Sequence, residues 1–245
     1  MSFLELVRLA EARLSSGSQA RGSFAQFVLL GEELAEFFAS RHDAVAVLRS
    51  YLELAQLDGV VGGSSHRHPN GFEKLSLYRS TATDVRIRLH FWEDSARSEM
   101  SSIHDHRWHF ASVVVAGLMK VTNFVQSNGA GLEYSCAQLS DISERNEKTI
   151  RLLGKRRLES TASYVLRAGD AHALHADVPH RVVAWGARAS ATIVVTGEPL
   201  RACSHSYREH ELRTSVRAYD VLPKSSMLER LERVTARLEA EGKDT

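Results

Sequence analysis

The chain has 245 residues, 43% hydrophobic and 25% charged, enough to bury a sizeable core. Its formal net charge of +1 removes any global electrostatic case for nucleic acid or a membrane surface. Two cysteines, Cys136 and Cys203, are too few for a disulfide framework or a Cys-based zinc site. The opening MSFLELVRLAEARL is amphipathic rather than a secretory signal, and no stretch approaches the ~20 apolar residues of a membrane span, so a cytoplasmic location is the expectation. Residues 1–57 then read as three helices. Ser2 with Glu5 and Ser23 with Gln26 form capping boxes, and Asp43 is the expected cap of the third helix. This segment is too short to stand as an independent domain and is expected to pack on the remainder of the chain.

The stretch GVVGGSSHRHPNG (59–71) is glycine-rich and reads as a loop, with His66 and His68 exposed in it. From residue 72 the pattern alternates. FEKLSLYRS (72–80), VRIRLHFW (85–92), HFASVVVAG (109–117), LMKVTNFV (118–125) and LEYSCAQL (132–139) are strand candidates. TIRLLGK (149–155), STASYVLR (160–167), HRVVAWG (180–186) and ATIVVTG (191–197) continue the series. Many short strands between turn residues predict a β-sandwich or barrel over residues 72–200. Residues 201–245 read as an extension ending in a helix, capped by Ser226 and Glu229. The charge-rich stretch 143–157 is expected to be solvated surface.

The chemistry centres on IHDHRWHF (103–110). His104 and His106 stand two apart at the start of a β-forming run, so both imidazoles project to one side. Two neutral imidazoles are half of a first-row metal site. The other half is sought in LRAGDAHALHADVPHRVV (166–183), which carries His172, His175 and His180. His180 opens a strand that a closing barrel brings beside the first pair, and His175 is the alternative third ligand.

The spacing of His104, His106 and Gly117, followed by Gly169 and His180, resembles the two motifs of the cupin superfamily. Phe110 stands where that family's first motif has a Glu, and Ser98, His175, Asp177 and Ala184 replace other motif positions. The resemblance implies a mainly β, cupin-type double-stranded β-helix (a jelly-roll barrel) with N-terminal helices and a C-terminal helix. With no Glu at Phe110, it implies a metal held by His104, His106 and His180 alone. That pattern is similar to the three-His thiol dioxygenase branch, whose iron site also sits behind an N-terminal helical segment. The branch's Cys–Tyr pair has no counterpart, since Ala111 occupies the place where its Cys often stands. The implied cofactor is Fe(II), with Mn, Ni or Zn as alternatives, and the implied partners are a small chelating substrate and O₂.

On the strand before the motif, Arg86, Arg88, His90 and Trp92 share one parity, opposite to Val85, Ile87, Leu89 and Phe91. Arg88 is a candidate for gripping a substrate carboxylate, with His90 and Tyr78 as further candidate catalytic groups lining the mouth; the competing reading is a solvated sheet face. Trp108 and Phe110 are expected to wall the pocket or fill the core, His109 to face away, and His205 and His210 to lie on the surface. Cys136 and Cys203 read as inert thiols. His175, Asp177 and His205 match a 2-oxoglutarate oxygenase pattern on paper but leave His104 and His106 unexplained. The expected function is a non-haem iron(II) oxygenase acting on a small thiol or amino-acid-like, carboxylate-bearing substrate. The alternatives are a non-oxidative metal-dependent lyase or isomerase and a non-catalytic binding protein. No helix-turn-helix with a basic face is evident, and exposed barrel edges leave a homodimer open.

Overall fold

The computed structural model describes residues 1–15, 23–56, 65–93, 101–142, 147–186 and 189–241. Three helices lead the chain, α1 (Phe3–Ser15), α2 (Phe24–Phe37) and α3 (Arg41–Gln56). The capping boxes at Ser2/Glu5 and Ser23/Gln26 are formed. In α3 the cap is Ser40, and Asp43 is the residue that reaches back to the Ser40 N–H, at 2.9 Å. The last helix, α4 (Lys224–Glu241), starts directly after Pro223, so Ser226 lies inside it rather than at its cap. No described helix is long and apolar enough to cross a membrane.

Among the described residues, fourteen strands form two seven-stranded antiparallel sheets. The first contains β1 (Ser65–Arg67), β2 (Glu73–Arg79), β3 (Arg86–Trp92), β5 (Phe110–Ala116), β9 (Ala171–Leu174), β11 (Ser190–Thr196) and β14 (Asp220–Leu222). Their order is β14-β1-β2-β3-β11-β5-β9. The second contains β4 (Ile103–His104), β6 (Leu118–Ser127), β7 (Leu132–Ile142), β8 (Glu147–Arg167), β10 (His180–Ala184), β12 (Ser204–Arg208) and β13 (Ser215–Ala218). Their order is β13-β8-β6-β10-β4-β12-β7. The run β3-β11-β5-β9 against β4-β10-β6-β8 interleaves two Greek keys, which is the cupin-type double-stranded β-helix.

The alternation of β3, β5 and β11 decides what lies on each side. Leu75, Leu77, Ile87, Leu89, Val113, Val115, Ile193 and Val195 are buried in one cluster with Phe3, Leu6, Phe27, Leu30, Val47, Tyr51, Leu231 and Val234 of the helices. The helices therefore cover the outer face of the first sheet, each such aliphatic side chain contributing ~1.5–3 kcal/mol on burial. The opposite parity turns inward, where Trp92 and Val114 meet Met119 and Ala184 of the second sheet. Gly117 closes the β5–β6 hairpin at φ +69° against Ala189 and Ser190.

Three expectations need correction. The two strands anticipated at 149–155 and 160–167 are one 21-residue strand, β8, which pairs with β7 along its first half and with β6 along its second. The second sheet thereby closes on itself, and its strands supply a small core of Ile103, Tyr134, Cys136, Leu158 and Tyr207. The strands do not stop at residue 200: β12 lies between β4 and β7, and β14 pairs with β1. The loop anticipated at 59–71 includes β1, which buries His66 to 2% exposure instead of leaving it in solvent. Residues 59–64 of that loop lie outside the described residues.

Candidate metal centre

His104 and His180 are direct cross-strand partners on β4 and β10, and His106 follows two residues after His104. Ile103 and His104 point to opposite sides, so the small core takes one and the interior takes the other. After His104 the strand ends, and the His106 N–H is held by the Ala176 carbonyl at 3.2 Å. One nitrogen from each of His104, His106 and His180 lies within 4.8 Å of the others, the one such triad among the described residues. His106 Nε2 and His180 Nε2 are 3.3 Å apart. Two donors bound at right angles to one first-row ion at ~2.1 Å would stand ~3 Å apart, so the His106–His180 pair has the spacing of two ligands on one ion, with His104 as the third donor beside them.

The tautomers fit as well. His104 Nδ1 lies 3.0 Å from the Ser102 carbonyl and His180 Nδ1 lies 3.1 Å from the Val178 carbonyl, so each Nδ1–H donates to backbone and each Nε2 keeps its lone pair. Asn70 accepts the Ser102 N–H and hydroxyl through Oδ1, at 3.3 and 2.9 Å, and braces that turn. Burial pushes the His104 imidazole below its ordinary pKa. Burial also pushes His106 and His180 well below theirs, reinforced by the neighbouring histidines. All three are neutral at pH 7, as ligation requires. Phe110 occupies the neighbouring space, its ring 4.9 Å from His106 and 5.8 Å from His180, so no carboxylate enters from that position.

A charged network locks the segment from behind. Asp105, 5% exposed, accepts the His205 N–H at 2.6 Å and His205 Nδ1 at 2.8 Å, and pairs with Arg201 Nη2 at 2.9 Å. Arg201 also donates to the His106 carbonyl from Nε at 2.9 Å and Nη2 at 2.6 Å, and to the Ala176 carbonyl at 2.9 Å. His205, expected on the surface, is thus part of the support, because β12 pairs directly with β4. Arg201 was not legible as a partner: it lies outside every motif.

The remaining candidates separate cleanly. Arg88 is 6% exposed and faces inward, donating to Thr196 Oγ1 at 3.1 Å, with its guanidinium 5.1 Å from the Trp108 ring. His90 faces the same interior, its ring 4.6 Å from Phe72 and 6.1 Å from Trp92. Tyr78 does not line the mouth: the β2–β3 register shifts between Ser76 and Tyr78, so Tyr78 pairs with Ile87 and turns to the helices, donating to Glu11 at 3.0 Å. His175 stands away from the triad against His109 and Phe24, with its side chain 42% exposed. His172 contacts Tyr164 Oη at 3.3 Å and is not in the triad. His109 faces the helices, as its parity predicts. His68 is pushed well below its ordinary pKa by burial and stacks on Phe72 at 4.3 Å, so it is not an exposed loop residue. His210 is exposed and Cys136 is buried.

The chain matches no protein-family profile and no curated protein. Among solved structures it is similar to hydroquinone 1,2-dioxygenase from Sphingomonas sp. TTNP3 with 4-hydroxybenzoate bound, at 14% identity and TM-score 0.27, over 47% of this chain and 60% of that one. It thus spans less than two thirds of that enzyme's chain. It is also similar to the hydroxypropylphosphonic acid epoxidase from S. wedmorenis, at 12% identity and TM-score 0.34, over 79% of this chain and 96% of that one. The iron(II) form of HppE gives 13% identity and TM-score 0.30, over 79% and 97%. Overlaps this loose carry no weight for the site; the fold rests on the strand order.

Proposed function

We propose that the chain is an iron(II)-dependent oxygenase acting with O₂ on a small, anionic, metal-chelating substrate. One observation carries the reading: three neutral imidazoles converge inside a jelly-roll barrel, with Phe110 where a carboxylate would complete the set. The three-His motif spacing, similar to the thiol dioxygenase branch, supports the same choice of metal. Iron(II) held by three neutral ligands would stay dicationic, leave about three positions open, and supply the means to bring substrate and O₂ together. His104, His106 and His180 would hold it. Phe110 and Trp108 exclude water beside the triad, Trp108 lying 6.3 Å from His106. Arg88, held by Thr196, supplies a fixed cation that orients an acid group on the substrate, and His90 stands next to it on the same face of β3.

The test is metal analysis of the purified full-length protein, followed by anaerobic iron loading and oxygen uptake with a panel of small thiols, amino acids and hydroxy acids. The expected result is about one metal per chain, lost in His106→Ala and retained in His175→Ala, with uptake that needs both iron and a panel member. Stoichiometric zinc with no uptake after iron loading overturns the oxygenase reading. Turnover that persists without oxygen assigns the site to a non-oxidative lyase or isomerase.

A further inference from the structure

The barrel interior beside the triad holds more positive charge than its surroundings neutralise. Arg86, Arg88 and Arg107 place their guanidinium carbons 5.8, 5.1 and 5.0 Å from the centre of the Trp108 ring. Lys74 stands opposite His90 on β2, and Lys148 of β8 lies 5.2 Å from the Tyr219 ring. Among the described residues, the carboxylate within this group is Asp141, which binds Arg107 at 2.6 Å and accepts the Tyr219 hydroxyl at 2.5 Å. Asp84 touches Arg86 only at 3.9 Å, from a half-exposed position. Five cations therefore share one well-bonded acid.

Their environment sharpens the imbalance. Burial, together with the neighbouring cations, pushes Arg88 down to about 9 and lowers Lys74 well below its ordinary value. Arg86 and Lys148 are lowered for the same reason. Arg86 Nε and His90 Nε2, on this face of β3, are both buried without a partner. Cations crowded in this way repel one another, and orphaned polar atoms add a desolvation cost. Such an arrangement has the form of a recognition site whose stabilising charge arrives with the ligand.

The geometry also limits the ligand. A planar carboxylate has two oxygens and is filled by a single guanidinium fork. Arg107 is committed to Asp141, yet Arg86 and Arg88 beside the same ring still offer more paired N–H groups than that. A tetrahedral group with three terminal oxygens and two negative charges matches two guanidinium forks in both donors and charge. We propose that the interior around Trp108 binds a dianionic oxyanion of the phosphate or phosphonate type, carried on the substrate at the end away from His104, His106 and His180. The proposal deepens the oxygenase reading by naming the charge on its substrate, yet the anion site itself needs no metal.

The probe is inorganic phosphate, titrated at constant ionic strength into the full-length chain after dialysis against a chelator, with calorimetry and tryptophan fluorescence as readouts. Saturable one-to-one binding is expected, at least tenfold tighter than acetate and tighter than succinate. Arg88→Gln and, separately, the less buried Arg86→Gln should each weaken it at least tenfold, while Arg49→Gln on the outside of α3 leaves it unchanged. Phosphate binding that does not saturate, that is matched by acetate or succinate, or that survives both interior substitutions overturns the proposal. Because the metal has been removed, failure here leaves the oxygenase reading standing, and failure of iron loading leaves this one standing.

Discussion

Replacing Asp105 with alanine should damage the metal centre without touching a ligand. Its carboxylate is 5% exposed and accepts from the His205 N–H, His205 Nδ1 and Arg201 Nη2, at 2.6, 2.8 and 2.9 Å. Hydrogen bonds to a charged group contribute about 1.5–3 kcal/mol each, and stranding one partner of a fully buried pair costs about 3–5 kcal/mol. Here the loss is smaller than the sum. Arg201 keeps its bonds to the His106 and Ala176 carbonyls, and the His205 ring is partly open to water. The His205 N–H loses its Asp105 acceptor. The net cost is about 3 kcal/mol, which moves a urea midpoint down by roughly 1 M for a slope of ~3 kcal/mol per M.

The second readout separates support of the fold from support of the centre. Asp105 sits between His104 and His106, so its removal frees the turn that aims both rings, and metal affinity should fall about 10–100-fold. Asp105→Asn keeps an acceptor for the His205 N–H and should give smaller losses in both measurements. Unchanged metal affinity in a destabilised Asp105→Ala protein refutes the positioning role. An unchanged midpoint refutes the energetic account.

Burial holds His172 at about 4, against 6.5 when unfolded. Its contribution to stability is complete above pH 6.5 and is lost as pH falls toward 4, at roughly 1 kcal/mol per unit, because only the unfolded chain takes the proton in that window. His172→Gln should flatten the plot of denaturation midpoint against pH there, and an unaltered slope refutes the assignment. Gly117→Ala forces a Cβ at φ +69° against Ser190 Oγ and the Ala189 carbonyl, and should cost about 2–4 kcal/mol. A cost below about 0.5 kcal/mol in chemical denaturation shows that the β5–β6 turn can adjust.

The three histidines were legible because their signal is local. His104 and His106 share a parity, Gly117 and Gly169 mark turns at φ +69° and +93°, and His180 begins a strand. The network behind them was not legible, since Asp105 meets Arg201 and His205 across about a hundred residues of chain, and only the pairing of β12 with β4 brings them together. Tyr78 was misplaced for a different reason. Period-2 reasoning assumes an unbroken ladder, and the irregularity between Ser76 and Tyr78 turns the side chain to the helices. The alternation of Arg86, Arg88 and His90 was plain, but the sequence does not say whether a polar face meets solvent or a second sheet. The second sheet decides it.

The triad and the cations around Trp108 are two answers to one electrostatic question. Phe110 removes the carboxylate that would neutralise a bound metal, and the acid between the two histidines, Asp105, is committed to Arg201 and His205. A dication would therefore enter a region already lined by Arg86, Arg88, Arg107, Lys74 and Lys148 with Asp141 as partial counter-charge. Metal and cations together leave the negative charge to be delivered by the ligand. A ligand that is anionic at both ends satisfies both clusters at once, and a neutral one satisfies neither. The ligand's charge, rather than its shape, is then the first property by which this interior selects it.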